Sequence, residues 1–90
     1  RLDTERQTLA LANTDAKMNA EKINADSLKK QTKLRRKLVV RVQKMKERNV
    51  ATDASLDEAE LALVITENQV AQSIARLQTL ELLRRNQLKD

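Results

Sequence analysis

The sequence predicts an all-α protein, folded as a long antiparallel two-helix coiled-coil hairpin, and three observations lead to this prediction. First, the 90 residues contain no glycine and no proline, although ordinary usage of about 7% Gly and 5% Pro would supply roughly ten. Sheets with tight turns are therefore disfavoured, and long helices remain. Second, apolar residues recur at heptad spacing in both halves of the chain. Third, the charge changes sign near the middle of the chain, which favours a chain that folds back on itself.

The first helix is predicted from about residue 2 to about residue 49. In its first half the apolar stripe comprises Leu2, Leu9, Ala16 and Ile23, one every seven residues, with Ala12 and Ala20 between them. In its second half the stripe comprises Leu34, Leu38, Val42 and Met45, with Leu28, Val39 and Val40 to its side. Between Asn19 and Lys33 the stripe is weak, so a frayed or offset seam is expected there. The segment "ANTDA" at 12–16 offers the other possible helix start.

A turn is predicted at about residues 50–54, and the second helix from about residue 55 to about residue 88. The stripe of the second helix comprises Leu56, Leu63, Val70 and Leu77, with Ala59, Thr66, Ile74 and Leu80 in the intervening positions. Two N-caps fit the start of this helix: Thr52 with Asp53 in the first turn, or Ser55 with Glu58 in a capping box. The second helix is shorter than the first, so residues 1–15 are expected to overhang it.

Charges on the two sides of the turn are opposite. Residues 29–48 carry ten Lys or Arg against the single Glu47, a sum of +9, whereas residues 49–75 carry five acids and no cation, a sum of −5. A turn near residue 50 lays these segments side by side. It also puts cations at the C-terminus of one helix and anions at the N-terminus of the next, as helix dipoles prefer.

Composition excludes several classes of function. The chain has no Phe, Trp, Tyr, Cys or His, so the usual ligands of a metal site and the nucleophile–base pairs of enzymes are missing. We therefore expect no enzyme activity and no cofactor. No run of 18 apolar residues is present, so no insertion into a membrane by this segment is expected. Residues 1–90 are predicted to form a single α-helical hairpin, excised from a larger multidomain protein.

Three residues around the predicted turn carry a resemblance to a known family. Arg41, Met45 four residues later, and Thr52 seven residues after that, followed by Asp57 and Ala59, resemble the hairpin tip of the periplasmic adaptor proteins. These HlyD-like proteins, also called membrane fusion proteins, serve tripartite efflux pumps and type I secretion systems. The family pattern has Leu where this chain has Met45. The family also often has a Gly before the turn, where this chain has Glu47, Arg48 and Asn49.

The resemblance implies a function for the tip. In that family, six adaptors pack side by side in the periplasm of a Gram-negative bacterium, anchored at the inner membrane. Their hairpin tips meet a TolC-like outer-membrane channel, and their other domains contact an inner-membrane transporter. By this resemblance, Arg41 would donate hydrogen bonds to the channel, Met45 would fill an apolar gap, and Thr52 would cap the second helix and approach the partner.

Two alternative interpretations come from the residues alone. A structural antiparallel coiled-coil rod or interaction segment would have the same heptads, and its turn would be only a connection. A basic nucleic-acid-binding helix pair is suggested by "KKQTKLRRK" at 29–37 and by the net charge of +5. The absence of aromatic residues that could stack on bases argues against nucleic acid.

Overall fold

The computed structural model describes residues 2–89, and it contains two helices joined by a short turn. Helix α1 spans Leu2–Glu47 and helix α2 spans Asp53–Leu88, and over the described residues no strand is present. The two helices pair as an antiparallel hairpin, so the predicted fold class is confirmed. In the part of the chain that the structure describes, neither helix offers the length of apolar sequence that crossing a bilayer requires.

The boundaries of the turn differ from the prediction by about two residues. Helix α1 ends at Glu47 and not near residue 49, and α2 begins at Asp53 and not near residue 55. The turn therefore occupies residues 48–52. Helix α1 is continuous through 12–16, so the second possible helix start at "ANTDA" was wrong.

Contacts divide the hairpin into two units, each containing a part of both helices. One unit comprises Asp26–Ala71 and includes the turn. Its contact seam, where the two helices pack, is formed by positions that alternate at spacings of three and four residues. These positions are Leu28, Thr32, Arg35, Val39 and Val42 on α1, and Leu56, Ala59, Leu63, Thr66 and Val70 on α2. Ala59, Thr32 and Thr66 are the buried residues among them.

The second unit comprises the residues up to Ala25 together with those from Gln72 on. Its seam has the same spacing. It contains Leu11, Thr14, Met18, Glu21 and Ala25 on α1, and Ser73, Leu77, Leu80, Arg84 and Gln87 on α2. The residues 2–9 are all exposed, whereas Ala10 and Leu11 are half-buried. The predicted overhang of residues 1–15 is therefore shorter than expected.

The predicted apolar stripe of α1 was wrong over most of its length. Leu2, Leu9 and Ile23 are 71%, 62% and 63% exposed, and Ala12, Ala16 and Ala20 are exposed as well. Further along the helix, Leu34 and Leu38 are exposed, whereas Val42 lies in the seam as predicted. Leu28 and Val39, which were placed beside the stripe, belong to the seam. The stripe of α2 is confirmed at every predicted position except Ile74. Ile74 is exposed, and the neighbouring Ser73 is the residue that is buried in the seam at this level.

Threonine explains why the true seam of α1 was hard to find in the sequence. The hydroxyl groups of Thr14, Thr32 and Thr66 each donate to the carbonyl oxygen four residues earlier, over 3.0, 2.8 and 2.9 Å. A buried hydroxyl that is satisfied in its own helix carries little desolvation cost, and its methyl group can pack in the seam. Among the described residues, every buried side-chain polar atom has a hydrogen-bond partner.

A polar cluster around Glu21 occupies the seam of the second unit. One carboxylate oxygen of Glu21, Oε1, accepts hydrogen bonds from Ser73 Oγ at 2.6 Å and from Arg76 Nε at 3.0 Å. Asn24 Nδ2 lies 3.4 Å from the same oxygen. The Glu21 side chain is 17% exposed and Ser73 is fully buried. These donors, Ser73 first and Arg76 next, lower the pKa of Glu21 below its ordinary value.

The expected pairing of opposite charges is only partly realised. In the unit with the turn, Arg36 lies 3.4 Å from Glu67 and Lys46 lies 2.6 Å from Asp53. In the second unit, Arg84 Nε donates to Asp15 Oδ1 at 2.6 Å. Asp57 and Glu58 are exposed, and within the described chain neither lies within ion-pair distance of a cation. Among residues 2–89, Arg36 and Lys46 are the cations of α1 that form ion pairs, so most of its cations have no carboxylate partner in that part of the chain.

The Glu21 cluster predicts a pH-dependent stability. Because the pKa of Glu21 is lower in the folded chain than in the unfolded chain, the ionised carboxylate stabilises the fold. This contribution is complete above the ordinary value of 4.5, and it is lost as the pH falls through the lower folded-state pKa. Urea unfolding followed by circular dichroism should therefore show stability falling with pH in this acidic window, with a smaller fall in Glu21→Gln.

The exposed Glu81 lies in the same unit and provides the control. Glu81→Gln should leave the acid-dependent fall of stability as it is in the unmodified chain. An identical pH profile for Glu21→Gln and the unmodified chain would contradict the role of the cluster.

Candidate partner-binding tip

The end of α1 is closed by a left-handed residue at Asn49, which has a φ of 62°. The Val50 amide donates to the carbonyl oxygen of Met45 at 2.8 Å, and the Asn49 amide donates to that of Lys46 at 2.9 Å. This pair of bonds, across five and three residues, is the Schellman arrangement, which usually has glycine at the left-handed position. Asparagine is the other residue that adopts this conformation readily. Asn49 thus holds the left-handed position in a chain without glycine.

Thr52 is the N-cap of α2. The backbone amide of Ser55 donates to Thr52 Oγ1 at 3.1 Å, which satisfies one of the free amides in the first turn. The two hydroxyl oxygens of Thr52 and Ser55 are 3.0 Å apart and share a hydrogen bond. Ser55 is therefore the third residue of the helix and not its cap. The alternative capping box of Ser55 with Glu58 was wrong, because α2 has already begun at Asp53.

An ion pair crosses the turn beside these caps. Lys46 Nζ, in the last turn of α1, lies 2.6 Å from Asp53 Oδ1 in the first turn of α2. The hydrogen bond to Asp53 and the charge of that carboxylate raise the pKa of Lys46 above its ordinary value. Both ions also lie where the helix dipoles favour their sign. The pair therefore links the two helix ends across the turn.

Arg41 and Met45 lie four residues apart on α1, so they are neighbours on one face of the helix. Arg41 is exposed, and within residues 2–89 its guanidinium has no carboxylate within ion-pair distance. Met45 is 37% exposed. Its backbone carbonyl is part of the cap, since it accepts from the amides of Arg48, Val50 and Ala51, but its side chain is only partly covered. Both side chains are thus available to a partner.

Thr52 differs from these two residues, because its exposed hydroxyl is already engaged with Ser55.

Sequence reasoning missed two other features of the tip. Val50 is 69% exposed in the middle of the turn, and Asn49 determines the path of the chain there. The run Arg48–Asn49 at the end of a heptad pattern is a weak signal for such a cap, because arginine and asparagine also occur within helices.

The tip contains no evident site for a metal ion. In the part of the chain that the structure describes, no group of three or more Asp, Glu, His or Cys is arranged to hold one.

Comparison of the chain with models of protein families, with curated proteins and with solved structures yields no match.

The left-handed conformation of Asn49 predicts how substitutions act there. Asn49→Val should lower the free energy of unfolding by about 1–2 kcal/mol, because a β-branched residue is strained in this conformation. Asn49→Gly should leave it unchanged or raise it slightly. Urea unfolding monitored by circular dichroism measures both effects.

Arg48→Gly is the matched control for Asn49→Gly. Residue 48 does not have a positive φ, so glycine there relieves no strain and, through its greater freedom in the unfolded chain, should lower the free energy of unfolding. Equal effects of glycine at positions 48 and 49 would contradict the assigned cap.

The caps of α2 make a second prediction. Thr52→Ala should lower the free energy of unfolding by about 1 kcal/mol, because the amide of Ser55 loses its acceptor. Ser55→Ala keeps that acceptor and loses only the bond between the hydroxyls, so a smaller loss is expected. A larger loss for Ser55→Ala than for Thr52→Ala, in the same denaturation experiment, would reverse the assignment.

Proposed function

We propose that this chain is the α-helical hairpin of a periplasmic adaptor protein, and that its turn docks tip to tip on a TolC-like outer-membrane channel. The proposal rests mainly on the side chains of Arg41 and Met45, which are exposed beside the turn. The turn itself is ordered, because hydrogen bonds cap both the end of α1 and the start of α2. The hairpin belongs in this proposal to a tripartite efflux or type I secretion system, in the periplasm of a Gram-negative bacterium.

Each tip residue has a role that its surroundings permit. Arg41 has several donors and no acidic partner in the described chain, so it can bond backbone carbonyls on the channel. Met45 offers a flexible apolar side chain that adapts to an irregular gap. Thr52 acts mainly through the cap, since its hydroxyl already bonds Ser55. Val50 adds an exposed apolar contact at the turn.

The caps matter for binding because they hold the turn in one conformation. The amides of Arg48 to Ala51 are bonded to carbonyls at the end of α1, and Lys46 and Asp53 join the helix ends. A binding surface that is ordered before it meets its partner loses less conformational entropy on association. The tip therefore presents its side chains at low entropic cost.

Further partners belong to the same proposal. The inner-membrane transporter would be contacted by domains outside this chain, and six copies of the adaptor would assemble side by side. Exposed aliphatic residues on α2 support a contact between copies: Leu61, Val64 and Ile65 are 61%, 51% and 49% exposed on one face of the helix. The chain acts here by binding alone, without catalysis and without a cofactor.

A structural coiled-coil rod is the second candidate. The regular three-and-four spacing of seam positions in both units favours it, because that spacing needs no partner beyond the two helices. In a rod the residues of the tip would have no binding role. The two candidates therefore differ in what substitution of Arg41 and Met45 does.

Export measured in cells that carry the protein, its transporter and its channel tests the proposal. Arg41→Ala and Met45→Ala should each weaken association with the channel by about 30-fold or more, as expected for residues central to an interface. Export should fall as association with the channel weakens. Circular dichroism and thermal unfolding should stay the same, since neither side chain is buried.

Arg85→Ala is the control, because it removes one exposed arginine from α2. It should leave both export and association unchanged. Full export in cells carrying Arg41→Ala and Met45→Ala together would favour the rod.

A further inference from the structure

The outer face of α1 in the unit with the turn carries a continuous row of positive charge. Five cations lie there at spacings of three and four residues: Lys30, Lys33, Lys37, Arg41 and Lys44. We name this row the outer basic stripe. All five are exposed, and their helical spacing places them on the side of α1 away from the seam positions. Lys33 lies at the edge of the row, where it also lines a groove with Glu67 and Val70 of α2. At 1.5 Å per residue the stripe is about 21 Å long.

The acids of α2 do not neutralise the outer basic stripe. The two ion pairs of this unit are made by Arg36 and Lys46, which lie outside the stripe. Over residues 2–89, none of the five stripe cations lies within 4.0 Å of a carboxylate. The stripe therefore has no carboxylate partner within the described chain and can attract an anionic surface.

Aliphatic side chains fill the remaining positions of this face. Between Lys30 and Lys44, the outer positions not taken by cations are those of Leu34 and Val40, which are 65% and 50% exposed. No acidic or small polar residue interrupts the face. Long lysine side chains can lay their methylene groups on an apolar layer while the ammonium groups stay in water.

This combination fits a lipid surface better than other polyanions. Four of the five cations are lysines, which are flexible point charges, whereas fixed carboxylates on a protein are usually bound by the planar fork of arginine. The chain has no aromatic residue to stack on bases. Aliphatic residues flanked by lysines are typical of helices that lie at the boundary between headgroups and acyl chains.

We propose that the outer basic stripe binds the surface of an anionic membrane. The cations contact headgroup phosphates, and Leu34 and Val40 reach the edge of the acyl layer. This contact extends beyond the tip: of the five cations, Arg41 alone is also proposed to bind the channel, and the other four belong to the stripe alone. It also needs no segment that crosses the bilayer.

Cosedimentation with vesicles tests the proposal. The chain should bind vesicles of equimolar phosphatidylcholine and phosphatidylglycerol at low salt, and it should bind phosphatidylcholine vesicles weakly. Each lysine near an anionic surface contributes roughly fivefold to binding. The triple variant Lys30→Gln, Lys33→Gln, Lys37→Gln should therefore bind on the order of 100-fold more weakly. Arg41 is left intact, so the tip is unchanged.

A charge-matched control separates the stripe from net charge. The variant Lys17→Gln, Lys22→Gln, Arg85→Gln also removes three exposed cations, all outside the stripe. It should bind the anionic vesicles within a few-fold of the unmodified chain. Circular dichroism should show equal helicity for both triple variants. Equal loss of binding in the two variants would overturn the proposal, as would no binding of the unmodified chain at low salt.

Three further measurements examine the lipid itself. Leu34→Ser with Val40→Ser should weaken vesicle binding several-fold, whereas Leu82→Ser with Leu83→Ser, at similarly exposed positions of α2, should not. Tighter binding to a duplex oligonucleotide than to the anionic vesicles, at the same salt, would mark the stripe as a nucleic-acid site and overturn the proposal. Release from vesicles by inorganic phosphate, but not by chloride at equal ionic strength, would identify a free-phosphate site instead.

Discussion

In each of the two units the structure depends on a narrow seam between the helices. Only two positions in every seven face the partner helix, and over the described residues the buried apolar side chains are two alanines, Ala25 and Ala59. Threonine and serine occupy the other buried positions, with their hydroxyl groups satisfied. Small side chains let the helices approach closely but bury little apolar area. All other side chains therefore lie at the edge of the seam or outside it.

Polar groups within the seam specify how the two helices align. Contacts between Leu, Val and Ala would tolerate a shift of one heptad, because similar residues recur at that spacing. Glu21 meets Ser73 and Arg76 in one alignment. In the same unit the Thr14 hydroxyl shares its proton between Ala10 O at 3.0 Å and Gln87 Oε1 at 2.9 Å. A shift would leave a carboxylate near the seam without its donors. Polar residues in the seam of a coiled coil commonly have this role.

Because the seam uses so few positions, the outer surface of the helices can be specialised. In the unit with the turn, α1 carries the outer basic stripe, whereas α2 carries Leu61, Val64 and Ile65. The turn has a surface of its own, held by the Asn49 and Thr52 caps and by the Lys46–Asp53 pair. A neighbouring copy would use the outer face of α2, a lipid surface would use the outer basic stripe of α1, and a partner at the tip would use the turn together with Arg41, which the stripe also contains. None of these three contacts would require a change at the seam positions.

The sequence by itself determined the all-α fold, the existence and order of two helices, the turn to within about two residues, and seven of the eight predicted positions in the seam of α2. It also limited the N-cap to two residues. Only the tertiary structure decided which stripe of α1 is buried. The stripe through Leu2, Leu9 and Ile23 has the same heptad period as the true seam, and period alone cannot say which of two stripes faces a partner. Packing against α2 selects the buried stripe. Thr14 and Thr32 can face α2 because their hydroxyl groups donate to carbonyl oxygens of their own helix. Polar threonines are therefore buried, whereas Leu2, Leu9 and other large apolar residues of α1 stay exposed.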